Sequence, residues 1–262
     1  GVKDFTSALI FTLTGEAGPT GRPLSLATFA LQAEHWPNPK PFLIFNTLLH
    51  AINGFLCYLF LARILRWNLS NHLHAEWLST AATLAWASSP FLSTTHLMIV
   101  QRMTGLAGLF TLLCLWLYAV ARDHYKTHSM SANLTLAAIA IAGTVLAGLS
   151  KENGFLVPAL LLVLEFVAVP AQSKQCRPLN RVFLVLVLWV PTAAITGYLL
   201  YRGISTSGYQ IRDFTLPERL MTEPRILFDY AQQLLIPTSH AATPFHDNYP
   251  KSTGIIKPTT TL

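Results

Sequence analysis

Long apolar stretches, broken by short polar turns, recur along this chain at intervals too regular for the core of a soluble domain. A helix needs about 18 or more such residues to cross a hydrocarbon layer, and without water to bond the backbone only helices or closed barrels can cross it. Of 262 residues, 52% are hydrophobic and only 11% are charged, whereas soluble domains carry about 25% charged residues. The expected fold class is an all-α polytopic membrane protein, with about six transmembrane helices and amphipathic helices in the extracytoplasmic loops.

The spans are expected over about Phe42–Leu65, Leu78–Pro90 with the mixed FLSTTHLMIV as its continuation, Thr104–Ala121, Leu134–Leu149, Phe155–Val169 and Val182–Tyr201. Three regions result: an opening extracytoplasmic loop over 1–41, a helical core over 42–202 and a closing extracytoplasmic loop over 203–262, the chain being read as an internal piece open at both ends. The opening loop holds an amphipathic segment, Phe5–Leu13, then the turn EAGPTGRPLS, then a short helical pattern ending at Trp36, whose ring suits a membrane interface. In the closing loop an amphipathic helix is expected from about Pro217 to Leu235, outside the bilayer. No internal repeat of the inverted-transporter kind is visible. Cys57 and Cys114 fall in apolar spans and Cys176 in a basic turn, which does not suggest a disulfide framework.

The net charge of +6 sorts by membrane side and is not read as a footprint for nucleic acid. One set of turns holds Arg63, Arg66, Arg122, Lys126, Lys174, Arg177 and Arg181, and the alternate short turns hold Arg102 and Lys151. Cytoplasmic loops carry the excess of Lys and Arg, so the first set is cytoplasmic. The opening loop, the Arg102 turn, the SKEN turn around Lys151 and the closing loop then share the outer face.

On that face Arg22, Arg102 and Lys151 come from three separate loops, and three converging cations suit an anion. The planar fork of Arg matches phosphate oxygens, and Lys supplies a compact charge, so a lipid phosphate or diphosphate near the headgroups is the expected ligand. The plain alternative is that each cation snorkels to lipid headgroups. Glu152 would pair with a cation, bind a metal or favour the start of the next helix through the dipole. Asn46, His50 and Asn53 share one helical face and are expected to bond between helices. His96 and Gln101 flank Arg102, and His246 with Asp247 sits in a polar turn of the closing loop. The pairs His72/His74 and His124/His128 have metal-like spacing without a recognised ligand set, so no metal site is assigned.

In order, GRPLSLATFALQ, PFLIFNTLLHAINGFLCYLF, SSPFLSTTHLMIVQRMTGLAGLFTLLCLWLY and LAGLSKENGFLVPALLLVLEF resemble the membrane core of the GT-C glycosyltransferase superfamily. The resemblance is to the transmembrane-and-tetratricopeptide O-mannosyltransferases and the bacterial enzymes that glycosylate pilin, over about Gly15 to Phe166 with FHDNYPKS as an outlying match. It implies transfer of a sugar from a polyprenyl-phosphate donor to a protein or glycan hydroxyl, on the extracytoplasmic side of a bacterial inner membrane. It requires no cofactor and admits a divalent metal. Arg22, Arg102 and Lys151 would stabilise the leaving phosphate, with Glu152, His50, His96, Gln101, His246 and Asp247 in support. An acceptor hydroxyl needs a carboxylate base. The family pattern places that acid near the end of the first membrane helix, so Asp4 and Glu16 are the candidates in this chain and the base is expected upstream of Gly1. Two other classes remain open: a transporter or flippase of lipid-linked glycans, which predicts charges at mid-helix, and a membrane scaffold, in which Arg102 and Lys151 are dispensable.

Overall fold

The computed structural model describes residues 2–18, 20–125, 129–169, 179–205, 214–236, 249–254 and 257–258. Among these residues it is all helical, with one isolated bridge between Gly254 and Lys257 and no sheet. Its packing divides the chain into one unit of Gly1–Ala87 with Thr95–Ala193 and a second of Ser88–Thr94 with Ala194–Leu262.

The first unit opens with α1, Phe5–Thr14, whose start is set by a capping box in which Asp4 accepts from the Ser7 amide and Ser7 accepts from Asp4. Such a cap satisfies amides that have no helical partner. α2, Pro23–Ala30, places Pro23 in its first turn, where the missing N–H costs nothing. α3 covers Lys40–Asn68, α4 His72–Ala87 and α5 Ser93–Leu97. A short 3-10 turn leads into α6, Arg102–Asp123, and α7 follows over Met130–Ser150, capped by Ser129. Beyond a 3-10 turn at Glu152–Leu156, α8, Val157–Val163, relaxes into a π-helical turn over Leu164–Ala168. α9, Arg181–Phe183, continues through a second π segment, Leu184–Trp189, into α10, Val190–Ser205, which passes into the second unit. There α11 spans Leu216–Leu235.

Among the described residues four helical stretches are long and apolar enough to cross a membrane: Lys40–Asn68, Ile99–Asp123, Met130–Ser150 and Arg181–Tyr198. They coincide with the first, third, fourth and sixth expected spans. The stretches at Leu78–Pro90 and Phe155–Val169 form shorter helices. α4 has 16 residues and stops ahead of Pro90, and α8 has 7 before its hydrogen bonding slips to the π pattern.

The faces of α3 show how these helices are turned. Phe42, Asn46, Leu49, Asn53 and Leu56 form a buried stripe, while Ile44, Leu48, Ile52 and Phe55 form a parallel stripe that is half or more exposed. The apolar side faces out and the asparagines face in, an arrangement suited to a helix long and apolar enough to cross a membrane. The expected inward polar face is thus present, and it bonds between helices: Asn53 donates to the Gly105 carbonyl at 2.9 Å and His50 Nε2 meets the Ala87 carbonyl at 2.9 Å. α6, α7 and α8 pack closely over Tyr118, Ala119, Leu136, Ala140, Ala147, Val157 and Leu161, where alanines let the backbones approach. At the far end of α6, Arg122 and Glu165 form a buried pair at 2.6 Å, with side chains 1% and 6% exposed. Beside it Asp123 joins Arg63 at 2.8 Å and accepts from the Trp67 indole at 2.6 Å. Both arginines were counted in the sequence as topogenic charges; the fold uses them as staples between helices.

Candidate functional site

The opposite end of this bundle, at the starts of α3 and α6 and the ends of α4 and α7, gathers polar groups from distant parts of the chain. The loop between α1 and α2 is fastened there by Ser25, whose fully buried hydroxyl donates to the Ser150 carbonyl at 2.8 Å. Local backbone chemistry then aims Arg22. Gly18 and Gly21 adopt φ of 118° and 71°, and Arg22 itself has φ 49° and ψ 52°. Left-handed backbone costs a non-glycine residue about 1–2 kcal/mol. The following Pro23 also disfavours the right-handed helical region for Arg22.

From that turn the Arg22 guanidinium reaches Glu152, donating from Nη2 to Oε2 at 2.8 Å and from Nε to both oxygens at 3.1 Å. Thr20 adds a bond to Oε1 at 3.2 Å. The Gly18 backbone lies against this pair: a Cβ there would stand 2.8 Å from both Arg22 Nη2 and Glu152 Oε1. Burial opposes the charged form of Glu152, but the hydrogen bonds and charge of Arg22, with a backbone bond and Thr20, hold its carboxyl below the usual glutamate range.

Lys151 caps the end of α7 beside that pair. Its Nζ donates to Thr104 Oγ1 at 2.7 Å, and Thr104 passes a bond to Gln101 Oε1 at 2.6 Å. Lysine has three ammonium donors. Among the described residues Lys151 forms no direct ion pair, and Thr104 is its hydrogen-bond acceptor. Burial, and then the nearby Arg22 charge, push the amine below its ordinary range, while Glu152 pulls the other way.

Arg102 is placed differently. Its side chain is fully buried and donates to Asn46 Oδ1 at 3.1 Å, the Thr28 carbonyl at 3.1 Å, Gln32 Oε1 at 2.5 Å and the Phe42 carbonyl at 3.3 Å. The rings of Phe29 and Phe45 cover the guanidinium at 4.4 and 4.3 Å. These are neutral acceptors and aromatic faces on α2, on the segment after it and on α3, so Arg102 clamps the opening loop to the bundle. A small cavity of about 10 Å³ beside it is lined by Asn46, His50, Asn53, Thr95, His96 and Arg102, among others. In it His50 stacks between Trp86 at 5.2 Å and His96 at 4.6 Å.

The structure therefore gathers Arg22, Glu152, Lys151 and Gln101 in one cluster and His50, His96 and Arg102 in another on the same end of the unit. Asp4 serves as the cap of α1, and Glu16 is exposed in the loop that follows. His246 and Asp247 lie outside the described residues. Sequence reasoning missed Thr20, Thr104 and Gln32, which hold the charged groups, and Gly18, which sits over them. The glycine-rich spelling of GPTGRPLS was the available signal for Gly18. Comparison of the chain with protein-family models, with curated proteins and with solved structures finds no match.

Proposed function

We propose that this chain is the membrane core of a glycosyltransferase that moves a sugar from a polyprenyl-phosphate donor to a protein or glycan hydroxyl outside the cytoplasm of a bacterial inner membrane. In this reading all six apolar stretches cross the bilayer, the shorter two at α4 and α8. The observation that carries it is Lys151: a partly buried ammonium with a neutral hydroxyl as its partner, beside the Arg22 fork at one end of an apolar bundle. A cation kept without direct neutralisation in such a place suits an anion brought in from the lipid phase.

Cleavage of the bond between the sugar's anomeric carbon and the phosphate oxygen leaves charge on the lipid phosphate. Lys151 stabilises that charge, and Arg22 adds its fork by sharing or releasing Glu152. Glu152, held ionised by its partners, positions Arg22 and is a weak proton acceptor at neutral pH. The acceptor's proton goes to a carboxylate other than Glu152 as the new glycosidic bond forms. Arg102 acts through the fold, holding the opening loop in register with the bundle.

The test is transfer from a synthetic polyprenyl-phosphate hexose in vesicles reconstituted with the chain in its natural full-length context. Lys151→Ala is expected to lower the rate at least tenfold at unchanged insertion, with partial recovery in Lys151→Arg. Full transfer by Lys151→Ala would remove the assigned role.

A further inference from the structure

α11 differs from the helices of the first unit. Leu220, Leu227 and Leu234 recur every seven residues along it, with Phe228 beside them, and their exposures are 64%, 61%, 38% and 71%. At 100° per residue these four side chains fall within a stripe of about 120°, the width of an amphipathic helix's apolar face. The other side is occupied from within the protein. Arg225 donates to the Pro250 carbonyl at 2.8 Å and to Ser252 Oγ at 3.1 Å, its guanidinium lies over the Tyr249 ring at 4.9 Å, and Ser252 N donates to Thr222 at 2.9 Å. The polar face is covered around Thr222 and Arg225, and the apolar stripe is exposed.

Two features link this helix to segments that adjoin expected spans. Residues 206–215 connect it to α10, and ten residues reach at most about 35 Å. Tyr230 also packs on Phe91, with ring centroids 5.2 Å apart, in the turn that follows α4 in the chain. The charges of α11 nearly cancel: Glu218, Glu223 and Asp229 face Arg219 and Arg225, and Arg219 pairs with Glu223 at 2.8 Å. A helix of this kind lies in the membrane interface with its apolar face about 5–10 Å into the headgroup and acyl boundary.

We propose that α11 is a monotopic membrane helix, seated on neutral lipid through Leu220, Leu227, Phe228 and Leu234, with Arg225 and the 249–252 segment turned to water. The interface is thus the occupant of this face. This moves the helix from outside the bilayer, where its sequence alone would put it, onto the bilayer surface. The inference rests on the membrane reading of the bundle and is independent of sugar transfer.

The experiment places nitroxide labels on the chain in phosphatidylcholine vesicles, with Cys57, Cys114 and Cys176 replaced by alanine. Single cysteines go at Leu220, Leu227 and Leu234, at Arg219 and Gln232 on either side of the stripe, and at Leu186, which is 61% exposed on a helix expected to cross. Oxygen is expected to relax the three leucine-position labels several-fold more than a water-soluble nickel chelate does, and the reverse is expected at Arg219 and Gln232. Nickel reaching Leu227 as freely as Gln232 would overturn the proposal, since α11 would then lie in water. Exclusion of both reagents from the leucine positions would also overturn it, because a second copy or another protein would then cover the face. The Leu186 label separates these failures from failure of the membrane reading, which would show nickel access there too.

Discussion

Gly154→Ala is expected to damage the site without touching any of its side chains. Gly154 is buried in the turn that carries Glu152, and an added Cβ would stand 2.1 Å from the Ala147 carbonyl carbon, 2.3 Å from its oxygen and 2.5 Å from the Gly148 nitrogen. All three are backbone atoms of α7 and cannot swing aside. Recovering an ordinary 3.4 Å contact from 2.1 Å requires the turn to retreat by about 1.3 Å. Carried to Glu152, that displacement lengthens its 2.8 Å bond from Arg22 to about 4 Å, beyond hydrogen-bonding range. Overpacking costs about 1–3 kcal/mol, and a clash between two backbones belongs at the upper end, so a loss of about 3 kcal/mol is expected. The assay is equilibrium unfolding in mixed detergent micelles, read beside Gly197→Ala. Gly197 has no atom within 4 Å of such a Cβ and lies in α10, so alanine there should be neutral or stabilising by up to about 1 kcal/mol. A Gly154→Ala chain that unfolds within about 0.5 kcal/mol of the unaltered one, measured where Gly197→Ala behaves as stated, would refute the packing argument.

Other outcomes follow from the same geometry. A double-mutant cycle on Arg22→Ala and Glu152→Gln should give a coupling of about 1–3 kcal/mol, as for charge-assisted bonds that are partly screened; a coupling near zero would mean that the pair does not fasten the loop. Because the Glu152 pKa is lowered in the fold, its contribution is present above the ordinary glutamate value of about 4.3 and is lost as pH falls through the lower folded value. The acid limb of the stability profile should therefore flatten in Glu152→Gln. Arg102→Lys keeps the charge but cannot reach four separated acceptors from one nitrogen, so it should cost about 2–3 kcal/mol and expose the opening loop to protease; unchanged cleavage in that variant would count against the clamp.

The long apolar helices were legible because an unbroken apolar run is visible in the sequence itself, and among the described residues four of the expected spans are helices long enough to cross a membrane. The shorter two were harder to bound. α4 stops ahead of Pro90, and the π segment after Val163 holds Glu165, whose partner Arg122 lies 43 positions earlier. Within the candidate site, residue types led to Arg22, Arg102 and Lys151 alike, because a lone cation in an outer turn reads the same whatever it touches. Their partners separate them: Arg22 meets a carboxylate, Lys151 a hydroxyl, and Arg102 only carbonyls, amides and rings.

The inward face of α3 could be read from spacing, since Asn46, His50 and Asn53 can avoid lipid together only by pointing one way. Thr104 and Ser25 could not be read so. Each is a small hydroxyl within an apolar phrase, and its importance arises from meeting Lys151 and the Ser150 carbonyl across 47 and 125 residues. Sequence by itself determined where this chain is apolar enough to be helical and which turns carry charge, because solvation and helical periodicity act on neighbouring residues. Tertiary structure decided which charges are neutralised by a carboxylate, which are clamped by neutral acceptors and which meet a single hydroxyl, because those states depend on distances between segments that local spacing does not encode.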